Sequence, residues 1–321
     1  MTTRLQKNVK QYFKDNIGII GALLILCIFL SVFPKTSGSF LTQKNIFNVL
    51  RQISSNLFLA CGMTMVIILG GIDLSVGSII ALSGCFAAGC VSRYGLPIAV
   101  GVLGGVLVGT VVGMFNGVVI SKTTIPPFIV TLATMNVAKG LAYVYTGGSP
   151  VRVVTKEWQF LGAGYVGGVP TPVILLAVVL VITAIIMNKT KLGRHIYAVG
   201  GNKIAAKLSG IPVNKYRIIA GLMAGTFVAL AGILVAARNQ SAQINGASSF
   251  SMPALSAVFI GRSFAGQGKP NAVGTLIGAA LVGVLDNGPV MMSVPYYSLN
   301  AIKGLVLAIA LASAYYSTKE D

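Results

Sequence analysis

Charge is what this chain has least of. Asp, Glu, Lys and Arg together make up 9% of its 321 residues, while hydrophobic residues make up 55%. Soluble domains carry about 25% charged residues. So few charges cannot cover a water-facing surface, which excludes a soluble globular protein and leaves lipid as the main solvent. The mean hydropathy of +0.84 agrees. No water-soluble domain and no low-complexity tail stands out, and the chain reads as one transmembrane domain over 1–321.

Other scarcities narrow the chemistry. There is one histidine, His195, with neither a triad partner nor a second metal ligand in its pattern. The four cysteines, Cys27, Cys61, Cys85 and Cys90, lie in apolar stretches without metal-ligand spacing, so they read as small hydrophobes. No G-x-x-x-x-G-K-[ST] loop occurs; Gly268-Lys269-Pro270 is the nearest fragment and fails the pattern. Neither a cofactor nor a metal is expected, and nucleotide hydrolysis by that route is excluded. If ATP drives this protein, the motor is another chain. A membrane enzyme has no nucleophile–base pair behind it.

What is present is basic and apolar. The formal charge is +18, but the Lys and Arg residues are dispersed between apolar runs, which argues against a nucleic-acid face. They follow the positive-inside rule instead. Arg4, Lys7, Lys10 and Lys14 precede the first apolar run. Lys189, Lys191, Arg194, Lys203, Lys207, Lys215 and Arg217 share one central loop. Both regions are therefore expected in the cytoplasm. The run from Ile17 to Phe33 lacks an A-x-A-like cleavage site and is read as a retained span.

A helix needs about 20 residues to cross the hydrocarbon core. This places spans at 17–34, 46–70, 75–92, 96–120, 126–146, 171–188, 216–237, 252–264, 271–288 and 298–316. The fold class expected is all-α and polytopic, with about ten transmembrane helices and both termini cytoplasmic. The short 252–264 segment is a candidate re-entrant piece, and Gly70–Ser78 a break in one path. The outer loop 148–170, with the single Trp158, reads as an interfacial cap. A weak internal repeat, about 17–146 and 171–316, is suggested by Gly/Ser breaks at Gly70–Ser78 and Gly261–Gly268.

Polar residues inside the apolar runs are the candidate functional groups. Asp73 is the only acid between Asp15 and Glu157. A carboxylate at membrane depth is costly and marks a functional site by default. Two readings stay open. Asp73, with Ser75 and Ser78, caps the helix that follows the break, or it lines the translocation path. Asn116, Thr131, Thr134 and Asn136 are further path candidates that more commonly bond between helices. Asp286-Asn287-Gly288-Pro289 reads as a helix end near water. In the basic loop, Gly200–Ile211 reads as a two-turn helix with Asn202 as its N-cap, a handle for another protein.

Three stretches resemble one family. Gly70-Gly71-Ile72-Asp73-Leu74-Ser75-Val76-Gly77-Ser78 is similar to the hallmark of the permeases of sugar-type ABC importers, the ribose permease family. Gly200 to Ile211 looks like the family's ATPase-contacting loop. Gly274-Thr275-Leu276-Ile277-Gly278 and Asp286-Asn287-Gly288 match its C-terminal region. The resemblance covers nearly the whole chain. It implies a coupling loop using Gly201, Asn202, Ala205, Ala206, Ser209 and Gly210. It also implies a cytoplasmic ABC ATPase, an extracytoplasmic substrate-binding protein, a second permease copy or close paralogue, and a bacterial inner-membrane location. Ser251-Met252-Pro253-Ala254-Leu255 stands where the family commonly has a Glu-Leu-Asp-Ala-type element, and Arg262 follows Gly261 where a small residue is common. The resemblance therefore leaves the sugar open. The rival from another class is an ion-coupled secondary transporter with Asp73 as its relay.

Overall fold

The computed structural model describes residues 19–262, 268–295, 297–299, 301 and 304–305. Among them, twelve helices are long enough to number here. Six are long and apolar enough to cross a membrane: α2 (Gln43–Ile68), α4 (Ile98–Lys122), α5 (Pro127–Thr146), α7 (Thr171–Lys189), α10 (Val213–Arg238) and α12 (Ala272–Met291). Shorter apolar helices are α1 (Ile19–Val32), α3 (Val76–Ser92) and α11 (Ser251–Gly261). Each of the first nine expected spans therefore coincides with a helix. The expected 298–316 span falls largely outside the described residues. Three short helices, α6 (Lys156–Ala163), α8 (Lys191–Gly201) and α9 (Lys203–Leu208), belong to the connections.

The described residues fall into two compact units, residues 54–254 and the remainder. The larger unit is built on α3, α4 and α10, and its packing inverts that of a soluble protein. Along α4 the buried residues are Gly101, Gly105, Gly109, Gly113, Asn116, Gly117 and Ser121. Leu103, Leu107, Val111 and Phe115 of the same helix are exposed. Residues four apart share one helix face. Water does not sort these faces in lipid, so close approach of backbones does. A Cβ on Gly113 would collide with the Gly221 carbonyl oxygen and lie 2.7 Å from Gly225 Cα of α10. One on Gly117 would lie 2.8 Å from Ile218 Cα, and one on Gly105 2.8 Å from the Ser83 carbonyl oxygen of α3. The stripe of small residues is thus the surface on which three helices meet.

The connections on α5 and α10 carry local signals. Pro126 and Pro127 open α5, where a missing N–H costs nothing, and Gly147 ends it in the left-handed conformation at φ 66°. Arg93 at the end of α3 donates to the Tyr145 and Thr146 carbonyl oxygens at 2.6 and 2.9 Å, satisfying the end of α5. Val151–Arg152 (β1) pairs antiparallel with Ser241–Ala242 (β4). A hairpin joins Tyr165–Val166 (β2) to Val169–Pro170 (β3) across Gly167-Gly168, both at positive φ as a two-residue hairpin turn demands.

Two expectations change here. Trp158 is fully buried in a cluster with Leu82, Ala142, Val151, Ile233 and Ala237. It is a core residue and not an interfacial anchor, because Ile233 and Ala237 of α10 share its buried cluster; Thr155 caps α6 at the Trp158 N–H. Asp286 and Asn287 do not mark a wet helix end. They are buried within α12, which runs on to Met291 with Pro289 in its final turn. In the smaller unit, Asn287 exchanges amide hydrogen bonds with Asn45 at 3.1 and 3.3 Å, and Gln52 donates to Asp286 at 3.4 Å. Polar side chains on α2 supply the partners that water was expected to provide.

Candidate functional site

The first candidate lies at the break between α2 and α3. The chain leaves α2 at Ile68 and turns at Gly70, whose φ of 78° favours glycine. It then runs without regular structure to Ser75, the residue before α3. Backbone groups freed at membrane depth need partners. Thr131 of α5 supplies two of them: its Oγ1 accepts from Leu74 N and donates to the Ile72 carbonyl oxygen, both at 3.1 Å. Asp73 supplies another, its Oδ1 accepting from Ser75 N at 2.8 Å and from Ser75 Oγ at 2.5 Å. Ser75 Oγ in turn accepts from Asn116 Nδ2 of α4 at 2.9 Å.

Asp73, Ser75, Asn116 and Thr131 are thus brought together, from the break and two spans. The carboxylate does not reach into the next helical turn. It closes a two-residue loop onto Ser75, and Ser75 occupies the N-cap position itself with no side-chain capping bond. Ser78 is buried one turn into α3. Thr134 is also buried, with Oγ1 bonded back to Val130 of its own helix at 3.0 Å. Asn136 is not part of the cluster: it is exposed on another face of α5, donating to the Leu132 carbonyl oxygen at 3.0 Å. A cavity of about 40 Å³ is lined by Asp73, Asn116, Thr131 and Arg217 among apolar neighbours. At 10–15 Å³ for each water, that is room for about three.

Arg217 was legible only as one of the basic-loop residues; its place on this cavity is set by the packing of α10 on α4. Lys139 stands within the apolar α5 span, half-buried, and a cation inside such a run is a signal the sequence carries.

The second candidate is the α8–α9 segment. Asn202 caps α9, its Oδ1 accepting from Ile204 N and Ala205 N at 3.0 Å each. Gly210, at φ 78°, ends it, and Ile211 N returns to the Ala206 carbonyl oxygen at 3.0 Å. Within the short helix Ala206 alone is buried, seated with Val199 and Val213 against Leu69 and Ile211. Gly201, Ala205, Ser209 and Gly210 are exposed, and Ile204 and Leu208 are 72% and 84% exposed. Ala206 therefore holds the helix down while Ile204 and Leu208, one turn apart, face outward between Lys203 and Lys207. At the base, Gly200 packs so tightly on Ile68 that a Cβ would collide with the Ile68 carbonyl oxygen. His195 Nδ1 and the Tyr216 hydroxyl share a 2.5 Å hydrogen bond, tying α8 to α10. Burial pushes the Tyr197 phenol above its ordinary 10.0, so it stays neutral. The α8–α9 segment thus rests on Ile68 and Leu69, immediately before the break that holds Asp73.

A family model described as "Branched-chain amino acid transport system / permease component" matches residues 45–311. The ribose import permease protein of Haemophilus influenzae is 38% identical over 304 residues, covering 93% of this chain and 94% of that one. The Bacillus subtilis ribose import permease protein is 39% identical over 313 residues, 97% of each. The Escherichia coli D-allose transport system permease protein is 33% identical over 313 residues, 96% of each. Among solved structures, an ABC transporter in an inward-facing conformation superposes with a TM-score of 0.57 at 14% identity. It covers 95% of this chain and 99% of that one, a likeness of fold alone. Matched across nearly its whole length, this multi-pass membrane chain belongs to the permease-component family of the branched-chain amino acid type transport systems.

Proposed function

We propose that this chain is the translocating subunit of an ATP-driven importer, that its cargo is a sugar, and that α9 is where the ATPase docks. One observation carries the coupling: a capped helix presents Ile204 and Leu208 to solvent while its buried face sits on Leu69, at the edge of the broken segment. A displacement of α9 has a short, packed route to the break and to the Asp73 cavity. ATP binding and hydrolysis occur in a partner chain. Differential binding between an outward- and an inward-open state does the coupling, so the permease needs only modest affinity for its cargo. A soluble binding protein delivers the sugar from outside, and a second permease copy completes the path. The relatives' names as ribose import and D-allose transport permeases support a monosaccharide cargo. Ion-coupled secondary transport is the less supported reading, because the relatives are import-system permeases and, among the described residues, no second acid partners Asp73.

The functional test is reconstitution into liposomes with the cognate ATPase and binding protein. Labelled ribose or a related sugar should enter only with binding protein outside and ATP inside the compartment that holds the ATPase. Uptake driven by a sodium or proton gradient without ATP would sink the importer reading. The proposed topology has ten spans and both termini in the cytoplasm. Single cysteines introduced at exposed positions in 200–211 should react with impermeant maleimide from the cytoplasmic side only. Those in 150–168 should react only from outside. Reversed labelling of the two loops would end that arrangement.

A further inference from the structure

Asp73 is 5% exposed, and its recorded partners are the backbone N–H and hydroxyl of Ser75, both on Oδ1. Among the described residues, no lysine, arginine or histidine forms an ion pair with it. Arg217 lines the same cavity, but its Nη1 points to the Ile120 carbonyl oxygen at 3.4 Å. The hydrogen-bond chain has a forced direction. Ser75 has one hydroxyl proton, and Asp73 takes it. Asn116 must then present its amide nitrogen to Ser75 Oγ, as it does at 2.9 Å. That leaves Asn116 Oδ1 without a hydrogen-bond partner, although the residue is 2% exposed. Buried polar atoms are nearly always satisfied, and each exception calls for a cause.

The exception and the carboxylate without an ion pair meet at one place. Asp73, Asn116 and Thr131 all line the 40 Å³ cavity, and their side chains carry a carboxylate, an amide oxygen and a hydroxyl. All are hard oxygen donors, which select alkali and alkaline-earth cations over soft metals. Among the described residues no group of three His, Cys, Asp or Glu side chains could hold a metal. One carboxylate matches a single positive charge. We infer that Asp73 and Asn116 bind an alkali cation, Na⁺ or K⁺, which bridges the break between α2 and α3 to the packed face of α4. The ion neutralises the buried carboxylate and gives Asn116 Oδ1 its partner. It is a resident part of the permease, and the site stands whatever solute the protein carries.

The test uses the full chain, purified in detergent, with its melting temperature read in NaCl, KCl and N-methyl-D-glucamine chloride at matched ionic strength. Na⁺ or K⁺ should raise Tm by about 3 °C over the organic cation at ten times its dissociation constant. Asn116→Ala and Asp73→Asn should each lose that gain. Asn at 73 keeps an Oδ1 for the Ser75 turn, so the fold is retained. Thr134→Ala, a buried hydroxyl bonded only to its own helix, should keep the gain. Equal melting temperatures in the three salts would overturn the site. So would a cation-dependent gain that survives in Asn116→Ala, which stays informative even if Asp73→Asn fails to fold.

Discussion

Gly113→Leu should all but eliminate folded protein. The Cβ of any residue at this position meets backbone on the facing helix: the Gly221 carbonyl oxygen in collision and Gly225 Cα at 2.7 Å. A clash with a flexible side-chain tip relaxes cheaply; one with backbone does not. Overpacking costs about 1–3 kcal/mol where side chains can shift, and more where they cannot. Here α4 and α10 must separate along their whole contact, because Gly109, Gly117, Gly221 and Gly225 share the same close approach. We expect a loss of about 3 kcal/mol or more, a large share of the 5–15 kcal/mol that holds a typical fold. Fluorescence-detected size-exclusion chromatography should show the monodisperse peak reduced about tenfold or more. Gly140→Leu is the matched control: it sits in α5, and a Cβ there meets nothing within 4 Å. Similar yields for the two variants would show that the glycine stripe does not organise the bundle.

Leu208→Asp, alone or with Ile204→Asp, should leave the permease folded and strip it of its ATPase. Both side chains are mostly in solvent, so surface substitution should change stability by less than about 0.5 kcal/mol. At a protein interface the same positions are apolar anchors, and losing a central one costs 2 kcal/mol or more, roughly 30-fold in affinity. Co-purification of the ATPase and sugar-stimulated ATP hydrolysis should fall together by that order. Undiminished co-purification with normal stimulated hydrolysis would remove α9 as the docking surface. Position matters within this helix. Ala206→Trp tests packing, because Ala206 seats α9 on Leu69 and Val213. A bulky residue at Gly210 imposes strain at φ 78°. Neither change separates docking from folding, whereas Leu208 does.

Leu208 stands at one end of a chain of contacts that leads to the break. Leu208 is outside, Ala206 and Leu69 are the seat, and the break with Asp73 follows within a few residues. Coupling through such a chain requires the break to have two arrangements. A segment held by side-chain hydrogen bonds from Thr131 and Asn116, in place of a helical ladder, is suited to that.

What depends on neighbours along the chain was legible in the order of the residues. The run of apolar residues set where the helices form, because hydropathy over about 20 residues is a local sum. Gly70-Gly71 announced the break, and Asn202 with Gly210 announced the start and end of α9, because capping and left-handed turns are decided within four residues. Tertiary structure alone decided which faces meet and which groups pair. Nothing local distinguishes Ala205, exposed, from Ala206, buried, or sends Asn136 outward while Thr131, five residues earlier on α5, reaches the break. Trp158 and Asp286 read as residues near water because polar and amphipathic side chains usually are. They are buried because α10 and α2, distant in sequence, supply their surroundings. In lipid the rule that apolar faces turn inward no longer sorts a helix. The partner of each polar group is then set by which backbones the glycines allow to approach, and that is a property of the packed helices and not of any one of them.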